Sequence, residues 1–206
     1  MTDRRCFMKG LVPTCLGTCA CVRALGAQTQ GAAGGASQET VVHKAGNKFD
    51  LPETLTHRQH FRLEYVDHFI PLLFILEKEM GREKVNQILE TFIQEESKNL
   101  GAFVVKATGK NDLSVFKDEF GPSNKEAMEL LTLEVVEDTD KAYCIKISEC
   151  IWAKTWRDAG AAHFGYNAVC LGDILFARAV NPKIDMTLMG TLMQGKDHCM
   201  LRYHYI

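Results

Sequence analysis

LTLEVVEDTDKAYCIKISEC, residues 131–150, decides the fold. From Leu131 to Glu137, Leu131, Leu133 and Val135 alternate with Thr132 and Glu134. From Lys141 to Glu149, Tyr143, Ile145 and Ile147 alternate with Cys144, Lys146 and Ser148. Successive side chains of a strand point to opposite faces, so each run has one apolar and one polar face and reads as a half-buried strand. Glu137-Asp138-Thr139-Asp140 is a polar turn that closes the two into an antiparallel hairpin.

Reading outward toward the C-terminus, Cys150 to Ala159 and His163 to Ala179 are helical, with an interruption near Gly160. Asn181-Pro182 ends the second helix, because the residue before a proline is pushed out of the α region. Ile184 to Leu192 is a strand, Gln194-Gly195-Lys196 a turn, and Asp197 to Tyr205 a final strand. Toward the N-terminus, Pro122 to Leu130 is a brief helix and residues 102–121 are short pieces. Glu83 to Leu100 is a helix with Val85, Ile88, Leu89, Phe92 and Ile93 on one face and Gly101 as its stop. Thr56 caps a helix from His57 to about Met80, which Pro71 should kink or split. The expected fold class is α+β: N-terminal helices followed by a ββααββ antiparallel-sheet domain, all within residues 55–206.

The first 27 residues have a different character. Arg4-Arg5-Cys6-Phe7-Met8-Lys9 matches the twin-arginine export pattern, Gly10 to Val22 is weakly apolar, and Ala24-Leu25-Gly26-Ala27 offers small residues for cleavage. Leu16-Gly17-Thr18-Cys19 faintly resembles a lipobox, so a lipid-anchored variant is the lesser alternative. Residues 28–54 are rich in Gly, Ala and Gln at first and then polar, as in a flexible linker. The leader predicts passage through the twin-arginine translocase and a periplasmic or extracellular protein.

The chain has 206 residues and a net charge of −2. Setting aside the leader's four basic residues and one acid leaves 20 basic against 25 acidic, a net −5. A mildly acidic body without a basic stripe argues against nucleic acid as a partner. No apolar run reaches the roughly 18 residues of a membrane span. There is no Gly-rich phosphate loop, GxSxG elbow or HExxH pair.

Three cysteines stand out. Cys150, Cys170 and Cys199 come from three different elements, and each has an acid within three residues: Glu149, Asp173 and Asp197. Period-two alternation carries Glu149 onto the inner face of its strand, although a carboxylate facing the next helix's dipole is the plainer account. Tyr166, Cys170 and Asp173 share one helix face at i, i+4 and i+7, unless Cys170 is a small core residue and Asp173 solvated. Asp197, Cys199, Leu201 and Tyr203 share one strand face; a buried inert thiol and ordinary turn chemistry are the alternatives. If the three sulfurs converge with these acids, they could ligate a divalent metal such as Zn or Mn, or supply a thiolate nucleophile with an acid beside it.

These stretches resemble the L-2-amino-thiazoline-4-carboxylic acid hydrolase family. The likeness lies in Glu149 to Ala159, in Gly165-Tyr166 through Cys170 and Asp173, in Phe176 to Lys183, and in Thr191 to Cys199 with Arg202-Tyr203. It extends over roughly residues 57–205. The resemblance implies ring-opening hydrolysis of a cyclic amidine-like C=N bond on the way to L-cysteine, with water attacking the ring carbon that bears nitrogen and sulfur. A divalent metal would lower the water's pKa. Glu149, Asp173 or Asp197 would be the base, with Cys150 and Cys199 beside them. Tyr166 and Arg202 would bind substrate, although strand parity sets Arg202 opposite Cys199. The export leader departs from the cytosolic setting such an activity implies. The ββααββ layout with late cysteines also resembles ligand-binding domains of the 4-vinyl reductase type, which makes a small-molecule or metal-binding module without turnover the alternative.

Overall fold

The computed structural model describes residues 55–206, so the leader and linker expected before them lie outside the described residues. Helix α1 (His57–Phe61) begins in a capping box: the Gln59 N–H donates to Thr56 Oγ1 at 3.3 Å, and the Thr56 N–H donates to Gln59 Oε1 at 2.8 Å. Pro71 does not interrupt the helical path. The chain widens into a π-helical stretch, Arg62–Phe69, and resumes as α2 (Ile70–Met80) with Pro71 in its first turn. There the missing N–H goes unneeded, and the wide turn before it takes up the ring's clash with the preceding carbonyls.

Gly81 turns the chain into α3 (Arg82–Thr108), which runs straight through Gly101, the expected stop. The reason lies in packing against α8 (Leu171–Val180). A Cβ at position 101 would sit 2.5 Å from the Ala179 Cβ, so this glycine lets two helix backbones approach. Gly109, at φ +69°, ends α3 in the left-handed conformation that glycine adopts without penalty. Residues 102–121, expected as short pieces, instead complete α3 and form α4 (Ser114–Glu119). Asn124 caps α5 (Lys125–Leu130).

Strands β1 (Leu131–Asp138) and β2 (Ala142–Cys150) form the expected hairpin. Helix α6 (Ile151–Asp158), helix α7 (Ala162–Gly165), a second π-helical stretch (Tyr166–Cys170) and α8 come next. The chain ends with β3 (Ile184–Met189), a 3₁₀ turn (Leu192–Gln194) and β4 (Cys199–Tyr205). The sheet order is β1-β2-β4-β3, antiparallel throughout, so the ββααββ reading holds. Among the described residues no helix is long and apolar enough to cross a membrane.

Two apolar cores result. The sheet core sets Tyr143, Ile145, Ile147, Leu201 and Tyr203 against Val104 of α3, Phe116 of α4 and Ala177 of α8. The helical core gathers Phe61, Tyr65, Leu73, Leu89, Trp156 and Phe164, with Trp152 edge-on to Phe61. Cys150 and Leu192 pack against both and so mark the seam between them.

Candidate active site

The end of β2 departs from simple alternation. Thr132 pairs with Glu149 but Leu133 pairs with Ile147, so Ser148 is an extra residue in the ladder. A bulge of this kind reverses which face the next residues take. Glu149 therefore turns outward, where it is exposed and accepts a hydrogen bond from Thr132 Oγ1 at 2.5 Å. Cys150 turns in, reaching the seam as the N-cap residue of α6. The inward carboxylate expected at position 149 is thus replaced by an inward thiol at 150.

Asp173 occupies the first turn of α8, just past the π-helical stretch. It is half-buried by surface area, yet burial alone pushes its carboxyl up to about 7. All three inner thiols feel its charge: Cys150, Cys170 and Cys199. Cys170 is further raised by Cys150 and Cys199, so the three sulfurs and one carboxyl form a single interacting group. Cys150, Cys170, Cys199 and Asp173 thus influence one another, whereas Glu149 and Asp197, expected beside the sulfurs, are exposed.

The thiols are protonated at neutral pH. Burial pushes Cys150 up to about 11, outweighing the nearby Ala153 and Trp152 amides, which favour thiolate without reaching hydrogen-bond geometry. Burial likewise drives Cys170 far above the thiol range despite its hydrogen bond with the Thr191 side chain. Burial raises Cys199 too, against the Leu192 N–H that donates to its Sγ at 3.2 Å. Among the described residues no three His, Cys, Asp or Glu side chains are arranged to hold one. The expected ligand set of Cys150, Cys170 and Cys199 therefore does not fit a Zn or Mn ion as it stands, and no step is derived through a metal.

Three other expected residues lie elsewhere. Strand β4 starts at Cys199, so Asp197 falls in the bend before it and is exposed instead of inward. Arg202 is on the outer sheet face, where its Nε and Nη2 donate to both Glu137 carboxylate oxygens at 2.8 and 3.2 Å. That fork is already filled, which removes Arg202 from the inner site. Tyr166 starts the second π-helical stretch, whose wider turn breaks the i, i+4, i+7 alignment, and it packs against the helical core.

Two residues that sequence reasoning did not select share the electrostatic surroundings of Asp173. Tyr203 is fully buried, stacked on Phe116 with ring centroids 4.2 Å apart, and its hydroxyl has no partner. Glu119, at the end of α4, has a buried Oε2 without a partner. Burial, then the charges of Glu126, Asp173 and Asp118, push Glu119 up to about 7. The inward parity of Tyr203 was legible from Cys199 and Leu201, but nothing in Lys117-Asp118-Glu119 distinguishes one buried acid from a solvated charge run.

Cys150 also faces the exterior. It lines an open groove of about 1000 Å³ whose walls include Arg58, Arg62, Glu149 and Lys154. The interior group thus borders solvent at one sulfur.

Among known families, the model described as L-2-amino-thiazoline-4-carboxylic acid hydrolase matches residues 60–203. No curated protein matches the chain. The matched span takes in α2 through β4 and every residue of the inner group, and the chain belongs to the L-2-amino-thiazoline-4-carboxylic acid hydrolase family.

Proposed function

We propose that this protein hydrolyses a small ring at a C=N or C–N bond, with 2-aminothiazoline-4-carboxylate as the first compound to try, and that Asp173 moves the proton. The supporting observation is a carboxyl held near 7 by burial among three protonated thiols. Such a group accepts and returns a proton within the neutral range. In the step it supports, a water oxygen bonds to the ring carbon bearing nitrogen and sulfur as the C=N π pair moves onto nitrogen, and one water proton passes to the Asp173 carboxylate. The acid so formed gives that proton to the departing ring heteroatom as its bond to the carbon breaks, and the second water proton leaves the new hydroxyl for the nitrogen that took the π pair as the C=O forms. One water is consumed and Asp173 is regenerated.

Cys150 stands where the groove meets the interior, and its neutral thiol contacts the reacting carbon without supplying a nucleophile of its own. The groove brings substrate to it. Because the thiols are protonated, a second reading has support: the groove at Cys150 binds a small ligand without turnover. Incubating the full chain with 2-aminothiazoline-4-carboxylate and following loss of the ring separates the two. Hydrolysis that rises as pH passes through about 7 and disappears in Asp173→Asn supports the enzyme reading. Binding without ring loss leaves the binding module. The leader at Arg4-Arg5 supports export through the twin-arginine translocase, which would place this activity outside the cytoplasm; a reporter fused after residue 27 and followed by fractionation tests that.

A further inference from the structure

Helix α2 is apolar on two opposite sides. Ile70 and Leu73, each 2% exposed, face the helical core. Leu72 and Ile75 are 49% and 59% exposed, and Pro71 is exposed as well. At about 100° per residue, the mean direction of Leu72 and Ile75 lies roughly 160° around the helix from that of Ile70 and Leu73. A helix with one apolar side packs on one core, whereas a helix that is apolar all round is covered on every side. Single apolar side chains scattered over a surface need no explanation, but these form one strip along one helix.

The strip ends in groups of opposite charge. His68, Leu72, Ile75 and Glu79 are all exposed and follow one another at i, i+4, i+7 and i+11, the spacing of a helix-packing seam. Nδ1 of His68 donates to the Leu63 carbonyl at 2.5 Å, which leaves Nε2 for another partner. Asp67, the acid beside His68, is taken up by Arg62 at 3.5 Å. His68 and Glu79 lie about 16 Å apart along the helix axis, too far to pair within one chain. The order basic, apolar, apolar, acidic is its own complement when reversed. An antiparallel second copy sets each His68, as imidazolium, against the other copy's Glu79, and each Leu72 against the other copy's Ile75; a two-fold axis makes every contact twice. A parallel copy would oppose His68 to His68 and Glu79 to Glu79, so like charges exclude it.

We propose that the outer strip of α2 docks a second copy of this chain, the two α2 helices lying antiparallel about a two-fold axis between Leu72 and Ile75. Charge complementarity selects this partner, because the strip matches its own reverse. The pairing goes beyond the hydrolase reading and does not depend on it. One helix pair over about 16 Å is a small contact, so the association belongs to the weak, exchanging class and not to the permanent one. Arg62 and Val66, on the π-helical stretch that leads into α2, line the groove at Cys150, so the seam begins next to a wall of that groove.

Sedimentation equilibrium of the full chain, from low to high micromolar concentration, tests this without any substrate. The wild type should show a reversible monomer–dimer equilibrium. Leu72→Glu and Ile75→Glu should each weaken it by about tenfold or more, since each sets an unpaired charge in the middle of the seam. Both side chains are exposed in the single chain, so circular dichroism and the melting temperature of the monomer should stay those of the wild type. His68→Glu opposes acid to acid and Glu79→Lys opposes base to base, so each alone should weaken the dimer by about threefold to tenfold. The double variant His68→Glu with Glu79→Lys restores opposite charges in the same register and should regain the wild-type association. A chain that stays monomeric throughout, or a dimer indifferent to folded Leu72→Glu, overturns the proposal; a dimer held by residues 1–54 would show that indifference. A double variant that associates no better than its two parents also overturns it, because the strip would then be meeting something other than its own reverse.

Discussion

The two faces of the sheet treat carboxylates in opposite ways. On the outer face Glu137 meets the Arg202 guanidinium, whose hydrogen bonds hold its carboxyl below the usual carboxylate range, and Asp185 is lowered the same way by Arg178. On the inner side Asp173 and Glu119 have no cation beside them, and burial lifts both to about 7. The same chemical group is held as an anion on one face and lifted toward neutrality on the other. Desolvation without a counter-ion makes the difference, and such acids are where function concentrates.

The largest expected effect comes from removing the inner acid. Asp173→Asn should reduce kcat/KM for ring hydrolysis by about a hundredfold or more, the usual worth of a positioned acid–base group. At pH 8 the same change should stabilise the fold by about 2 kcal/mol, because it removes an unpaired buried charge. A variant that is less active and also less stable at pH 8 would erase the contrast between the faces.

Next comes the seat of α8. Gly101→Ala should destabilise by about 2 kcal/mol, since the new methyl would overlap Ala179 and push α8 off α3. Thermal unfolding measures this, and a neutral result would mean the helix crossing does not hold Asp173 in place.

The pH dependence of stability sharpens the comparison further. Asp173 and Glu119 have folded pKa values above their ordinary ones, so their contribution is fully present below about 4 and is lost as pH rises toward about 7. Glu137 and Asp185 run the other way: their contribution is present at neutral pH and lost as pH falls through their lowered values. Urea titrations should show wild-type stability declining from pH 5 to pH 8, with the decline flattened in Glu119→Gln and Asp173→Asn. A flat wild-type profile would show that the inner acids keep ordinary values.

The smallest effect belongs to the outer face. Arg202→Ala should leave ring hydrolysis unchanged and lower the melting temperature only slightly, as expected of a surface pair. A large loss of activity would return Arg202 to the substrate.

Much of this was legible in the sequence. Alternation in Leu131–Cys150 and in the last strand gave the hairpins, and the parity of Cys199 and Tyr203 was right. What could not be read were departures from regular periods. Ser148 reverses the parity of Glu149 and Cys150, a π-helical stretch takes Tyr166 out of line with Asp173, and Gly101 reads locally as a stop although a distant helix requires it. Asp197 reads as inward only if the strand starts two residues before Cys199, where β4 begins. Glu119 was missed because burial of one acid among charged neighbours is decided by tertiary packing.

The extra residue at Ser148 has an evolutionary reach. It uncouples the last two positions of β2 from the pairing frame that governs the rest of the sheet, so side chains there can change without disturbing the hairpin's registration. Removing that one residue would leave Glu149 opposite Thr132 and Cys150 opposite Leu131, so the sulfur at this end of the strand would outlast the bulge itself.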